Sequence, residues 1–101
     1  MTLKKKIRFA KEAQSQYDAA VDYLLDRNPA AAERYVSEVD AALERIQRFP
    51  ESGSVLRRSA KGPIRQFLVP PYRFFYRIDG DTALIVAVWH GAQLAIPGAD
   101  E

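Results

Sequence analysis

The sequence predicts an α+β fold: an N-terminal antiparallel helical hairpin packed on one face of a small, mainly antiparallel β-sheet. Two observations carry this expectation. In the first half, apolar residues recur at intervals of three and four, the period of an amphipathic helix. In the second half, short runs of β-branched and aromatic residues alternate with Pro- and Gly-bearing turns, the pattern of paired strands. With 101 residues, 48% hydrophobic and 28% charged, the chain reads as one globular domain over residues 1–101, of a size that buries roughly 60–70% of its unfolded surface.

In chain order, Ile7 to Ala10 reads as a short first strand. From Ala10 to Arg27, the positions Ala13, Tyr17, Ala20, Val21, Leu24 and Leu25 form one helical stripe. Asn28-Pro29 then restarts a helix, because Asn caps an N-terminus and Pro suits the first helical position. The second stripe is Ala32, Tyr35, Val36, Val39, Ala42, Leu43, Ile46 and Phe49, and it ends at Pro50, with Gly53 shortly after. A connection this short makes the two helices antiparallel. Three strands follow, Ile64–Val69, Tyr72–Ile78 and Ala83–Trp89. Their short spacers imply a meander. The last strand is apolar on both faces, which places it inside the sheet.

Charge is unevenly distributed. Nine of the thirteen acidic residues lie between Glu12 and Glu51, and none lies between Ser52 and Ile78. That acid-free segment carries Arg57, Arg58, Lys61, Arg65, Arg73 and Arg77, and Lys4, Lys5, Lys6 and Arg8 form a second basic cluster. Such asymmetry points to an anionic partner, either nucleic acid or an acidic protein segment.

Several classes are excluded. The absence of cysteine removes disulfide scaffolds, thiolate metal sites and cysteine nucleophiles. His90 is the only histidine, so no second one can complete a metal site or a Ser-His-Asp triad. At the end of a strand it reads as a hydrogen-bonding structural residue. Asp18, Asp22 and Asp26 share one helix face and read as solvated, while Tyr17 and Tyr35 fall on apolar stripes and read as core. The longest apolar run, Ala83 to Trp89, is too short to span a bilayer, and charges interrupt the stretch after the N-terminal lysines. A cytoplasmic protein with no membrane partner, no cofactor and no metal is expected.

Alternation sorts the middle strand into two sets. Tyr72, Phe74, Tyr76 and Ile78 suit packing beneath the helices, whereas Arg73, Phe75 and Arg77 face away, since two arginines are costly to bury. A two-residue loop at Asp79-Gly80 places Leu84, Val86, Val88 and His90 on the arginine face, and a loop one residue longer flips them. Under the first register this face is an apolar floor with a cationic rim, suited to a peptide or helix carrying acidic residues. The competing reading of the same face is that Arg73 and Arg77 are solvated, with their stems lying over the sheet. Trp89 reads as core, or as an anchor for a partner if it sits at the groove edge.

Three stretches, RFPESG (Arg48 to Gly53), IRQFLVPPYRFFYRI (Ile64 to Ile78) and ALIVAVWH (Ala83 to His90), occur in the order and spacing of a known family. Together they make the chain resemble the ParE-type toxins of the RelE/ParE superfamily, which includes plasmid-stabilisation proteins. The resemblance implies the toxin of a type II toxin–antitoxin pair, bound and neutralised by a cognate antitoxin encoded beside it in a hetero-oligomer, with DNA gyrase as target. The open strand face and the acid-free segment put the expected antitoxin or target groove at Arg65, Arg73, Phe75, Arg77 and His90, with Arg57, Arg58 and Lys61 as further basic contacts.

RelE-type relatives instead cut messenger RNA on the ribosome, using lysines on the strand before the Tyr-Arg strand and Arg and Tyr near the C-terminus. Here Arg73 matches the strand arginine, but Ile64 and Gln66 stand at the lysine positions and Ala92-Gln93 follow the histidine region. The expected activity is therefore binding, with no catalytic residue and no sequence-specific nucleic-acid contact. A ribonuclease using Arg65, Arg73 and His90, or a degenerate non-toxic member, are the alternatives.

Overall fold

The computed structural model describes residues 4–91. Its elements are β1 (Lys6–Phe9), α1 (Lys11–Arg27), α2 (Pro29–Arg48), β2 (Ser54–Ser59), β3 (Gly62–Val69), β4 (Tyr72–Asp79) and β5 (Thr82–His90). The five strands form one sheet in the order β1-β5-β4-β3-β2. Consecutive strands from β2 to β5 pair antiparallel, and β1 alone runs parallel, alongside β5. The helices pack on one face, α1 over β5 and α2 towards β3. The expected α+β architecture is the one observed.

Asn28 organises the hairpin by serving both helices. Its backbone N–H closes α1 onto the Leu24 carbonyl at 2.7 Å. Its side-chain Oδ1 accepts from the Ala31 N–H at 3.1 Å and so caps α2. Pro29 follows in the first turn, where its missing N–H costs nothing. None of the described helices is long and apolar enough to cross a membrane.

Beneath the hairpin lies a continuous core. Val39 and Ile46 of α2 meet Phe74, Tyr76, Ala83, Ile85 and Val88 of the sheet, and Phe67 stacks on Phe74 at 4.9 Å between ring centroids. The assignment of Tyr72, Phe74, Tyr76 and Ile78 to the helix side is thus observed. Tyr35 is 4% exposed and packs on Tyr17 and Tyr72. Burial pushes its phenol strongly above the ordinary value, and its hydroxyl has no hydrogen-bond partner among the described residues.

Two features depart from the sequence expectation. The strand β2 was not foreseen, because its run SVLRRS lacks alternation. A register shift between Val55 and Arg57 explains why: the bulge at Leu56 breaks the period of two. The hairpin that follows turns through Ala60-Lys61 into Gly62, whose φ of 107° suits glycine.

The second departure concerns β5. The loop after β4 does have two residues, since Asp79 pairs with Thr82, and Leu84 lies opposite Arg77 as expected. Yet Phe75 pairs with Ala87 while Tyr76 pairs with Ile85, leaving Val86 as an extra residue. A bulge reverses alternation beyond it. Val88 and His90 therefore turn to the helix side, and Ala87 and Trp89 take the places expected for them. The bulge falls where β1 has ended, and Gln16 of α1 supplies the missing partner: its Oε1 accepts the Val88 N–H at 2.7 Å.

A candidate partner-binding face

The face of the sheet away from the helices can be read rung by rung from the pairings. Arg8 of β1 lies beside Leu84 of β5, which lies beside Arg77 of β4. Arg65 pairs with Tyr76, so the same register carried one residue further sets Ile64 beside Arg77, and Ile64 pairs with Arg57 of β2. One rung thus reads Arg8, Leu84, Arg77, Ile64, Arg57 across all five strands. The next rung is Ala87, Phe75, Gln66 and Ser54, and the one beyond it Trp89, Arg73 and Leu68.

The floor of this face is apolar. Phe75 and Ala87 are 2% and 4% exposed yet lie outside the core beneath the helices. Trp89 packs edge-on against Phe75 with centroids 5.8 Å apart. Leu68 is exposed. Gln66 Oε1 is buried without a hydrogen-bond partner among the described residues.

Lys6 and Arg77 on this face are only lightly compensated. Arg77 approaches Asp79 at 3.8 Å, and Lys6, one rung out, approaches Asp81 at 3.4 Å. Arg8 and Arg73 have no ion-pair partner among the described residues. Members of the two basic clusters therefore meet on one face, Lys6 and Arg8 with Arg57, Arg73 and Arg77. Arg8 belongs to that face and was missed as a candidate, because only the parallel pairing of β1 with β5 brings it there.

Other expected site residues lie elsewhere. Arg65 shares the helix side with its partner Tyr76, so it does not join Arg73 and Arg77. Its Nη1 donates to the Glu51 and Gly53 carbonyls at 3.0 and 2.9 Å. Tyr76 completes this clamp, with its hydroxyl donating to the Pro50 carbonyl at 2.8 Å and accepting the Gly53 N–H at 3.0 Å. Burial raises the Tyr76 phenol, an effect partly offset by the Gly53 N–H and the Arg65 charge. A Cβ on Gly53 would stand 2.6 Å from the Tyr76 hydroxyl and 2.8 Å from the Gln66 carbonyl. Only glycine fits that position, which gives the RFPESG stretch a structural reason.

His90 is displaced by the β5 bulge to the helix side, where it meets Tyr72 edge-on at 5.5 Å in a cleft beside Gln16 and Tyr23. Arg58 pairs with Pro63 and points to the side opposite Arg57, and Lys61 occupies the exposed β2–β3 turn. Ala92 and Gln93 lie outside the described residues. Among the described residues, no group of His, Asp or Glu side chains could hold a metal ion.

A helical hairpin packed on one face of a five-stranded, mostly antiparallel sheet matches known proteins. The family model for the ParE toxin of the type II toxin–antitoxin system, parDE, matches residues 7–95. This chain belongs to the ParE toxin family. It is also similar to Toxin RelE1 of Caulobacter vibrioides, with 27% identity over 85 residues, 80% of this chain and 87% of the relative.

Among solved structures, a chain of the chromosomal ParDE system from P. aeruginosa superposes with a TM-score of 0.67 at 14% identity, covering 85% of this chain and 95% of that one. A chain of the toxin–antitoxin complex RelBE2 from Mycobacterium tuberculosis gives 0.58 at 25% identity, covering 87% and 99%. ParE-family membership covers both faces described above: the matched residues run from Ile7 on β1 past the end of β5. The likenesses extend to both ParE and RelE proteins.

Proposed function

We propose that this ParE-family toxin acts by occupying a protein target, DNA gyrase, and that a cognate antitoxin neutralises it by covering the arginine face with an acidic, amphipathic segment. One observation carries the reading: Arg8, Arg73 and Arg77 share a face floored by Phe75 and Ala87, whereas His90 lies on the other side of the sheet. RNA cleavage of the RelE kind requires a group that takes a proton from the 2′-hydroxyl and another that protonates the leaving oxygen. Guanidinium groups stay protonated at neutral pH and serve neither role well, although they suit the clamping of carboxylates. The positions that carry lysines in RelE proteins hold Ile64 and Gln66 here. Nanomolar capture corresponds to about −12 kcal/mol, and the exposed Leu68 with the half-buried Ile64, Leu84 and Trp89 on that face supplies apolar burial that ion pairs alone would not.

The test is expression of the chain without antitoxin, with chromosomal breaks and messenger RNA ends mapped in the same cells, alongside supercoiling by purified gyrase. Double-strand breaks with intact RNA and inhibited gyrase are expected. Cuts at codon positions with an intact chromosome would establish the ribonuclease reading, which the likeness to RelE1 and RelBE2 favours. Unimpaired growth with abundant soluble protein would mean a member that binds antitoxin without being toxic.

A further inference from the structure

We infer that the β2–β3 hairpin is a finger for duplex DNA, entering the major groove tip-first and holding the phosphates on both sides without reading sequence. This goes beyond the occupation of a protein target and does not depend on which protein that is.

The inference starts from the charge of the hairpin. No Asp or Glu lies between Ser52 and Ile78, so residues 54–69 carry cations alone: Arg57, Arg58, Lys61 and Arg65. Arg65 is turned to the root of the hairpin, where it holds the Glu51 and Gly53 carbonyls. The other three stand at the outer end. Arg57 pairs with Ile64 and Arg58 with Pro63, both beyond the bulge. Being neighbours on one strand, the two arginines leave opposite faces of the ribbon. Lys61 is exposed in the turn between them and β3. Arg58 and Lys61 have no ion-pair partner among the described residues. The end of the ribbon is therefore positive on both faces and at its tip.

This end stands apart from the helices and is held in one shape. The helices rest on β1, β3 and β5, whereas β2 packs mainly on β3. Of β3, Phe67 and Val69 enter the core, at the end away from the turn. Ser59 fixes the turn itself: its Oγ donates to the Gly62 carbonyl at 2.7 Å and accepts the Lys61 N–H at 3.2 Å. Gly62 supplies the positive φ that the turn requires. A finger clamped at root and tip loses little conformational freedom on binding.

The two-faced arrangement selects the partner. A strand ribbon with its side chains is about 10 Å thick, and the major groove of B-DNA is about 12 Å wide and admits such a ribbon. Tip-first in that groove, Arg57 meets the phosphates of one wall and Arg58 those of the other. The major groove of an RNA duplex is too narrow to admit the ribbon. A single strand or an acidic peptide would lie along one face and leave the cation of the other without a partner.

The experiment titrates the full chain with a short labelled DNA duplex of mixed sequence over a series of salt concentrations, read by fluorescence anisotropy. Three phosphate contacts give a slope of log affinity against log salt of about −2.7. Arg58→Glu with Lys61→Glu should weaken binding at least about tenfold and flatten the slope by roughly 2. Lys11→Glu with Arg34→Glu makes the same charge change at exposed positions of the helices, and should leave the slope near that of the parent. An RNA duplex of the same sequence should bind roughly tenfold more weakly than the DNA. If circular dichroism shows the first variant to be unfolded, Arg58→Gln with Lys61→Gln gives the same reading with a smaller charge change.

Equal losses in the two double variants would mean that net charge alone attracts the duplex, and would overturn the inference. So would equal or tighter binding of the RNA duplex, of the single DNA strand or of a glutamate-rich peptide. No measurable binding of the DNA duplex at low salt would overturn it as well.

Discussion

Phe74 and Phe75 are neighbours on β4, 0% and 2% exposed, yet they belong to opposite halves of the molecule. Phe74 stacks on Phe67 and meets Tyr17 beneath the helical hairpin. Phe75 touches Trp89 on the other side of the sheet, in a rung between two arginine-bearing ones. Equal burial therefore conceals different tasks. The helix side is a closed, interdigitated core, and the arginine side is a thin apolar floor with cations standing on it. On the proposed function, stability resides mainly on the first side and recognition on the second.

That contrast is most easily broken by mutation on the helix side. Phe74→Ala should lower stability by about 3–5 kcal/mol, because the hairpin cannot collapse into the void. Phe75→Ala, outside the core beneath the helices and packed against Trp89, should lose less in the same denaturant titration. Equal losses would erase the distinction between the two faces.

A smaller effect is expected at the loop that closes the core. Gly53→Ala forces the Cβ against the Tyr76 hydroxyl and the Gln66 carbonyl. Displacing those groups breaks the bonds to Gly53 and Pro50, a cost of about 1–3 kcal/mol. A thermal midpoint unchanged from the parent would show that the clamp does not constrain the loop. Gln16→Ala should cost somewhat less, about 1 kcal/mol, by leaving the Val88 N–H unpaired, and amide exchange at Val88 is its most specific readout.

The smallest effect concerns Tyr35. Its buried hydroxyl has no partner among the described residues, so Tyr35→Phe should change stability at neutral pH by no more than about 0.5 kcal/mol, or raise it. The same burial gives an alkaline limit. A phenol whose folded pKa is raised keeps the native state's advantage below the unfolded value of about 10 and loses it as pH rises from there towards the folded value. Unfolding on the alkaline side should shift upward in pH in Tyr35→Phe, and an unshifted transition would place its origin in other groups.

Much of this arrangement was legible in the residues. Helical periodicity, the Asn28-Pro29 junction and the alternation of Tyr72–Ile78 each answer to one local rule, and the structure follows them. What was not legible depends on partners distant in sequence or on a single inserted residue. The strand β2 escaped because its bulge removes the alternation that identifies strands. His90 was assigned to the wrong side because nothing local announces the bulge at Val86, where Gln16 from α1 satisfies the backbone. Arg8 joined the arginine face only through the pairing of β1 with β5, a contact across more than seventy residues that periodicity cannot show. Arg65, adjacent to the face in sequence, was turned away by alternation and serves the Glu51–Gly53 loop.

The division of labour between the two sides of the sheet meets its most direct test in the affinity of the cognate antitoxin for two double variants. Arg73→Glu with Arg77→Glu alters the arginine face, and Arg58→Glu with Lys61→Glu makes the same charge change away from it. With both variants folded by circular dichroism, the first should bind at least about tenfold more weakly and the second nearly as the parent. Equal affinity of both variants would contradict the assignment of that face to partner binding.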